Sequence, residues 1–217
     1  MNYEYILFDL DGTLTDPKVG ITKSVAFALD SFGIHVSNMD QLEPFIGPPL
    51  RDSFQQFYHF TTSQAEEAVS KYREYFGVTG KFENEVYQGI PELLAKLKAT
   101  GKKLIVATSK PTEFSIQILE HFGLLTYFDF VAGSEMDGRR SHKEEVIRYA
   151  LEENAVTDLS KVLMIGDRNF DIIGASNVGI DAVGVLYGYG DRQEHQEARA
   201  TYIVESVEEL DQLLMKF

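Results

Sequence analysis

The chain has 217 residues, with 20 Lys+Arg against 34 Asp+Glu, so its formal net charge is −14. Nucleic acid and anionic membrane surfaces repel such a polyanion, and neither is an expected partner. Cysteine is absent, which excludes disulfides, thiolate metal sites and cysteine nucleophiles. With 44% hydrophobic and 25% charged residues, the composition is that of an ordinary globular chain able to bury a core.

In chain order, the apolar run Tyr5–Phe8 predicts a buried strand. No basic segment or cleavable apolar region stands in front of it, so no export signal is expected and a cytoplasmic location is the default. From Val19 to Phe76 the periodicity is helical only: Ile21/Val25/Ala28/Leu29/Phe32, then Leu50/Phe54/Phe57/Tyr58, then Ala65/Ala68/Val69/Tyr72/Phe76. Such a block is too large for a simple crossover and predicts a small all-helical cap domain over residues 16–81, hinged at Thr15–Pro17 and Gly77–Gly89. The longest apolar run, Val25 to Leu29, falls far short of a bilayer span.

Beyond the block, short apolar runs alternate with amphipathic stretches. Strands are predicted at Lys103–Thr108, Phe128–Ala132, Val162–Ile165, Ala182–Val185 and Tyr202–Val204. Between them, Leu93/Leu94/Leu97, Phe114/Ile118/Phe122 and Val146/Ile147/Ala150/Leu151 mark helices with one buried face. Gly101, Gly123 and Gly179 stand where those helices should stop. Several strands are apolar without alternation, as in a parallel sheet covered on both faces. The pattern predicts an α/β fold, a doubly wound (Rossmann-like) parallel sheet core built from residues 1–15 and 82–217, closed by an amphipathic helix over Val207–Phe217.

The first strand runs into Asp9-Leu10-Asp11-Gly12-Thr13. Two carboxylates spaced by two on an extended segment point the same way, and at a strand's carboxyl end they face the crevice where open parallel sheets bind ligands. A second acidic pair, Asp167 and Asp171, follows the Val162 strand in Gly166-Asp167-Arg168-Asn169-Phe170-Asp171. Neighbouring strands can bring these four acids together, and such a cluster repels itself unless a hard cation sits among them. Oxygen ligands without cysteine, and no histidine in either motif, argue for Mg²⁺ over Zn²⁺. After the Lys103 strand comes Thr108-Ser109-Lys110-Pro111, where hydroxyls and backbone N–H groups beside a helix start suit an anion. Lys110 reads as a surface residue. Lys143 opens the next helix, beside a capping His142, and is set to neutralise phosphate charge.

These four motifs, in this order and spacing, resemble the haloacid dehalogenase-like hydrolase superfamily, in its phosphoglycolate phosphatase-like branch with a helical cap inserted after the first motif. The likeness covers nearly the whole chain. It implies Asp9 as nucleophile, Asp11 as general acid and base, Thr108 and Lys143 as phosphoryl binders, Asp167 as a Mg²⁺ ligand and Asp171 as holder of the metal shell. Dehalogenating members lack an aspartate at the second acid of the opening motif, so Asp11 favours phosphoryl transfer. Asp9→Asn is then expected to abolish turnover without unfolding the chain.

The expected function is a Mg²⁺-dependent phosphatase acting on a small phosphorylated metabolite through an aspartyl-phosphate. Phosphoglycolate is the first substrate the resemblance suggests, and a nucleoside 5′-monophosphate is its rival. A sugar phosphomutase would share the nucleophile but must keep water out. A phosphonate hydrolase would need a cap lysine, with Lys18 and Lys23 available by position. A phosphate-binding regulator without turnover is the non-enzyme alternative. In the cap, Phe45-Ile46-Gly47-Pro48-Pro49-Leu50-Arg51 places Arg51 at a helix start, either reaching the leaving group or solvated. Gly188-Tyr189-Gly190 reads as a flexible loop near the site.

Overall fold

The structure, a computed structural model, describes residues 2–217. Its strands are β1 (Tyr5–Phe8), β2 (Thr15–Asp16), β3 (Glu85–Val86), β4 (Lys103–Pro111), β5 (Phe130–Ser134), β6 (Val162–Gly166), β7 (Asp181–Val185) and β8 (Tyr202–Val204). Its α-helices are α1 (Lys18–Asp30), α2 (Leu50–Tyr58), α3 (Thr62–Phe76), α4 (Ile90–Ala99), α5 (Thr112–His121), α6 (Lys143–Glu153), α7 (Asn169–Val178), α8 (Arg192–Glu197) and α9 (Val207–Leu214). The chain divides into two compact units, Met1–Asp16 with Val86–Phe217, and Pro17–Glu85.

In the first unit six strands form one sheet in the order β5-β4-β1-β6-β7-β8, every pairing parallel. The order reverses on either side of β1, which makes the carboxyl edge around β1, β4 and β6 the topological switch point where α/β sheets bind ligands. Phe8 stands level with Val106 and Ile165, so the next positions, Asp9, Ala107 and Gly166, lie side by side towards the carboxyl edge of the sheet. On one face Leu7, Ile105, Met164 and Ala182 pack with Val146, Ile147 and Ala150 of α6 and Ile172 and Ala175 of α7. Each Val, Leu, Ile or Met side chain so taken from water stabilises the fold by roughly 1.5–3 kcal/mol, and each alanine by less. Gly179 ends α7 at φ 88°, a left-handed position that glycine occupies without strain.

Four strands differ in their limits from the sequence expectation: β6 runs one residue further, to Gly166, β7 starts one residue earlier, at Asp181, and β4 and β5, which ends at Ser134 instead of Ala132, differ by more. β5 begins at Phe130 instead of Phe128, because a 3₁₀ turn at Leu125–Tyr127 claims the Phe128 N–H. β4 runs on to Pro111 instead of stopping at Thr108: after an irregularity past Ala107, Pro111 pairs with Ser134. The C-terminal helix ends at Leu214, and Phe217 sits edge-on to Tyr3 with ring centroids 4.9 Å apart.

The second unit is helical. α1 and α2 both pack on α3, around an aromatic group in which Phe45 meets Phe54, Phe57 and Tyr58 at 5.0, 5.3 and 6.0 Å. A Cβ on Gly20 of α1 would lie 1.9 Å from the Gly80 carbonyl oxygen, so the helix can approach that turn only without a side chain there. Among the described residues no helix is long and apolar enough to cross a membrane.

Candidate active site

Asp9 leaves β1 with its side chain buried, and its Oδ1 accepts the Leu10 N–H at 2.7 Å. Lys143, the first residue of α6, projects its ammonium to the same oxygen at 2.9 Å and to Asp171 Oδ1 at 2.7 Å. That ammonium also donates to the Ala107 carbonyl of β4 at 3.0 Å. One buried cation thus joins the ends of β1 and β4 to α7. Asp171 lies in the first turn of α7, where its Oδ2 accepts the Arg168 N–H at 3.1 Å and caps the helix. Asp167, fully buried just past β6, receives the Tyr189 N–H on Oδ2 at 2.8 Å, while its Oδ1 has no hydrogen-bond partner.

Asp9, Asp167 and Asp171 offer ligand oxygens that all lie within 4.8 Å of one another. Burial pushes the Asp167 carboxyl well above the usual carboxylate range, and the charges of Asp171 and Asp9 push it further. Asp171 is pushed up to about 6, by burial first and Asp9 second, against the pull of Lys143. For Lys143 burial acts downward, yet the charges of Asp171 and Asp9 outweigh it and hold the ammonium above its ordinary value.

With all groups ionised, three carboxylates against one ammonium leave two negative charges in excess. Such an excess is unfavourable in a buried site without a counter-ion. An unpartnered buried carboxylate oxygen on Asp167 and an all-oxygen donor set fit a hard divalent cation.

Of the four acids expected to meet, Asp11 stands apart. Its carboxylate is outside the group of three; Oδ2 is paired with the Lys110 ammonium and Oδ1 is buried without a partner. Burial raises its pKa, with Lys110 opposing. Lys110 is therefore no surface residue, and that expectation is corrected: it is buried within the site. The reason lies in β4, which carries Thr108 and Lys110 inward on alternate positions while Ser109 between them is half-buried. Thr108 Oγ1 accepts the Lys110 N–H at 3.3 Å within the irregular stretch of β4, and α5 starts only at Thr112.

His142 is the residue before α6, and its backbone N–H donates to the Glu145 side chain at 3.2 Å. Arg51 belongs to the helical unit, in the first turn of α2, and pairs with Glu66 of α3 at 3.4 Å, both side chains about half exposed. Lys23 is likewise held in an ion pair, with Glu83 at 2.5 Å, and Lys18 in pairs with Asp40 and Glu43.

A family model described as haloacid dehalogenase-like hydrolase matches residues 6–185. The chain belongs to that family. A 5'-nucleotidase from Pseudomonas aeruginosa is 48% identical to this haloacid dehalogenase-like hydrolase over 214 residues, 99% of this chain and 96% of that protein. The Tyrosine-protein kinase PtkA of Mycobacterium tuberculosis is 36% identical over 210 residues, 97% of this chain and 71% of that protein. The crystal structure of a predicted phosphatase from Clostridium acetobutylicum superposes with a TM-score of 0.97 at 50% identity, covering 100% of both chains. This member of the family is a phosphatase.

Proposed function

We propose that the protein hydrolyses a nucleoside 5′-monophosphate in a Mg²⁺-dependent reaction that passes through a phosphoryl group carried on Asp9. The observation that carries the reading is the buried trio Asp9, Asp167 and Asp171 with Lys143 between two of its members. The nucleotide is favoured over phosphoglycolate by the 48% identity to a 5'-nucleotidase over nearly the full length of both chains. Asp9, Asp167 and Asp171 would hold the cation, which when bound supplies charge neutralisation for the phosphoryl oxygens.

Asp9 Oδ1 is engaged by Leu10 and Lys143, which leaves Oδ2 to form the bond to phosphorus as the ester oxygen departs in line. Lys143 offsets the negative charge of nucleophile and phosphoryl group alike, and Thr108 and Ser109 offer hydroxyls to the phosphoryl oxygens. Asp11 gives its proton to the leaving alkoxide, then takes one from the water that attacks phosphorus, so Asp9 is restored and phosphate leaves. Lys110 holds Asp11 in place for both transfers. The helical unit Pro17–Glu85 is the candidate cap, with Arg51 its candidate substrate contact.

Phosphate release from nucleoside 5′-monophosphates, phosphoglycolate, sugar phosphates and an aryl phosphate, each with Mg²⁺ or EDTA, tests the reading. The nucleotide should be turned over best, and only with Mg²⁺. Preference for phosphoglycolate would reverse the substrate assignment, an isomerised sugar phosphate would mark a mutase, and a stable phosphoprotein without phosphate release would mark a regulator. A second reading, transfer of the phosphoryl group to a tyrosine hydroxyl instead of water, is favoured by the 36% identity to a tyrosine-protein kinase. Phosphotyrosine formed on a peptide from ATP would establish it.

A further inference from the structure

Asp167 sits in a cage of glycines. A Cβ on Gly12 would lie 2.1 Å from Asp167 Oδ2, one on Gly188 2.4 Å from Asp167 Cβ, and one on Gly190 2.0 Å from the Asp167 carbonyl oxygen. Gly12 adopts φ +80°, so there a side chain would also be strained. Between the last two glycines, Tyr189 gives its backbone N–H to Asp167 Oδ2 at 2.8 Å. The same residue's phenol donates to the carboxylate of Asp16, 173 positions away in sequence. Two residues earlier, the Tyr187 phenol donates to the Thr13 carbonyl at 3.0 Å, and its ring meets Tyr87 edge-on at 5.0 Å. Burial, then the bond to Asp16, raises the Tyr189 pKa, so the phenol remains a donor at any working pH. The loop that follows β7 is thus pinned twice to the segment 13–16 that follows the Asp9 motif. Far from being a flexible connection, it holds Asp167 through Oδ2 and leaves Oδ1 without a partner.

We infer that Gly188-Tyr189-Gly190 is a positioning strap for Asp167, in which the phenol of Tyr189, anchored on Asp16, sets the backbone N–H that orients this carboxylate toward a divalent cation. The inference rests on the cation reading of the Asp9, Asp167 and Asp171 group. Hydrogen bonds of this kind, one step behind a metal ligand, restrict the ligand's rotation, so their loss shows as weaker metal binding before it shows as unfolding.

Isothermal titration of Mg²⁺ into wild-type protein, Tyr189→Phe, Asp16→Ala and the double variant tests this, with melting temperature measured in EDTA alongside. Tyr189→Phe keeps the N–H and removes only the anchor. Its Mg²⁺ dissociation constant should rise about tenfold, the lower end of losses typical for such partners, with little change in the metal-free melting temperature. Asp16→Ala should weaken binding at least as much, and the double variant should be no weaker than Asp16→Ala alone, because both changes remove the same Tyr189–Asp16 bond. Gly190→Ala, which drives a methyl against the Asp167 backbone, should weaken binding further. Wild-type affinity in Tyr189→Phe, or additive losses in the double variant, would overturn the strap while leaving the metal reading in place. No Mg²⁺ binding by the wild-type protein would overturn both.

Discussion

Each unit of the molecule carries ion pairs, and they differ in kind. Lys143 and its partners Asp9 and Asp171 keep only 3%, 7% and 1% of their side-chain surface exposed, whereas Arg51 and Glu66 of the helical unit keep 47% and 55%. An exposed pair at 3.4 Å is worth about 0.2–1 kcal/mol and is screened by salt. A buried set with more acids than bases costs stability unless something else is bound there, so its presence at the sheet's switch point marks a site and not a staple. The buried charges around Lys143 are placed for chemistry; the Arg51–Glu66 pair, like the exposed pairs Arg139–Asp137 and Arg192–Glu205 of the first unit, is placed in water.

The sharpest way to break that contrast is Asp9→Asn. It should lower kcat by 10⁴ or more, roughly the scale on which single nucleophile deletions act, while circular dichroism stays that of the wild type. Phosphate release at the wild-type rate would remove Asp9 as nucleophile. Lys143→Met leaves buried carboxylates without their cation and should cost about 3–5 kcal/mol in urea denaturation besides abolishing turnover. A loss under 1 kcal/mol would mean that the buried set is not held by this lysine.

Lys110→Met releases Asp11 and should reduce kcat by about 10²-fold, the lower range for a displaced acid–base group, with substrate KM nearly unchanged. An unchanged kcat would return Lys110 to a purely structural part. A smaller effect concerns pH. Asp171 ionises near 6 in the folded chain against 3.8 for the ordinary group, so between those values the folded state binds more protons than the unfolded one. Its contribution to stability is therefore fully present below about pH 3.8 and is lost as pH rises through 6. Melting temperatures in EDTA should show that fall, and Mg²⁺ should flatten it by favouring the carboxylate. Least of all, Arg51→Ala should change stability by under about 0.5 kcal/mol. Unchanged KM values for every substrate would place it outside the site.

Much of the fold is legible because its signals are local. Tyr5–Phe8 and Tyr202–Val204 are strands to the residue, since a short apolar run with turn residues on both sides needs no distant partner to be recognised. Strand ends are harder. β4 continues to Pro111 only because Ser134 is there to pair with it, and a ladder partner more than twenty residues away leaves no mark on the periodicity of Lys103–Thr108. The site divides in the same way. Acids directly after apolar strands announce Asp9, Asp11 and Asp167, and the helix start announces Lys143.

The sequence alone determined the α/β class, the six strands of the main sheet in their order, the acidic motifs at the strand ends, and the family they resemble; β2, β3 and α8 left no such mark. The tertiary structure alone decided which acids cluster together. It set Asp11 aside with Lys110, at a separation of 99 residues, and bound Asp167 to the Tyr189 loop, 22 residues on. The physical reason is that hydrophobic periodicity reports which face of an element is buried, whereas a buried charge is placed by whichever opposite charge or donor the completed fold brings within about 3 Å.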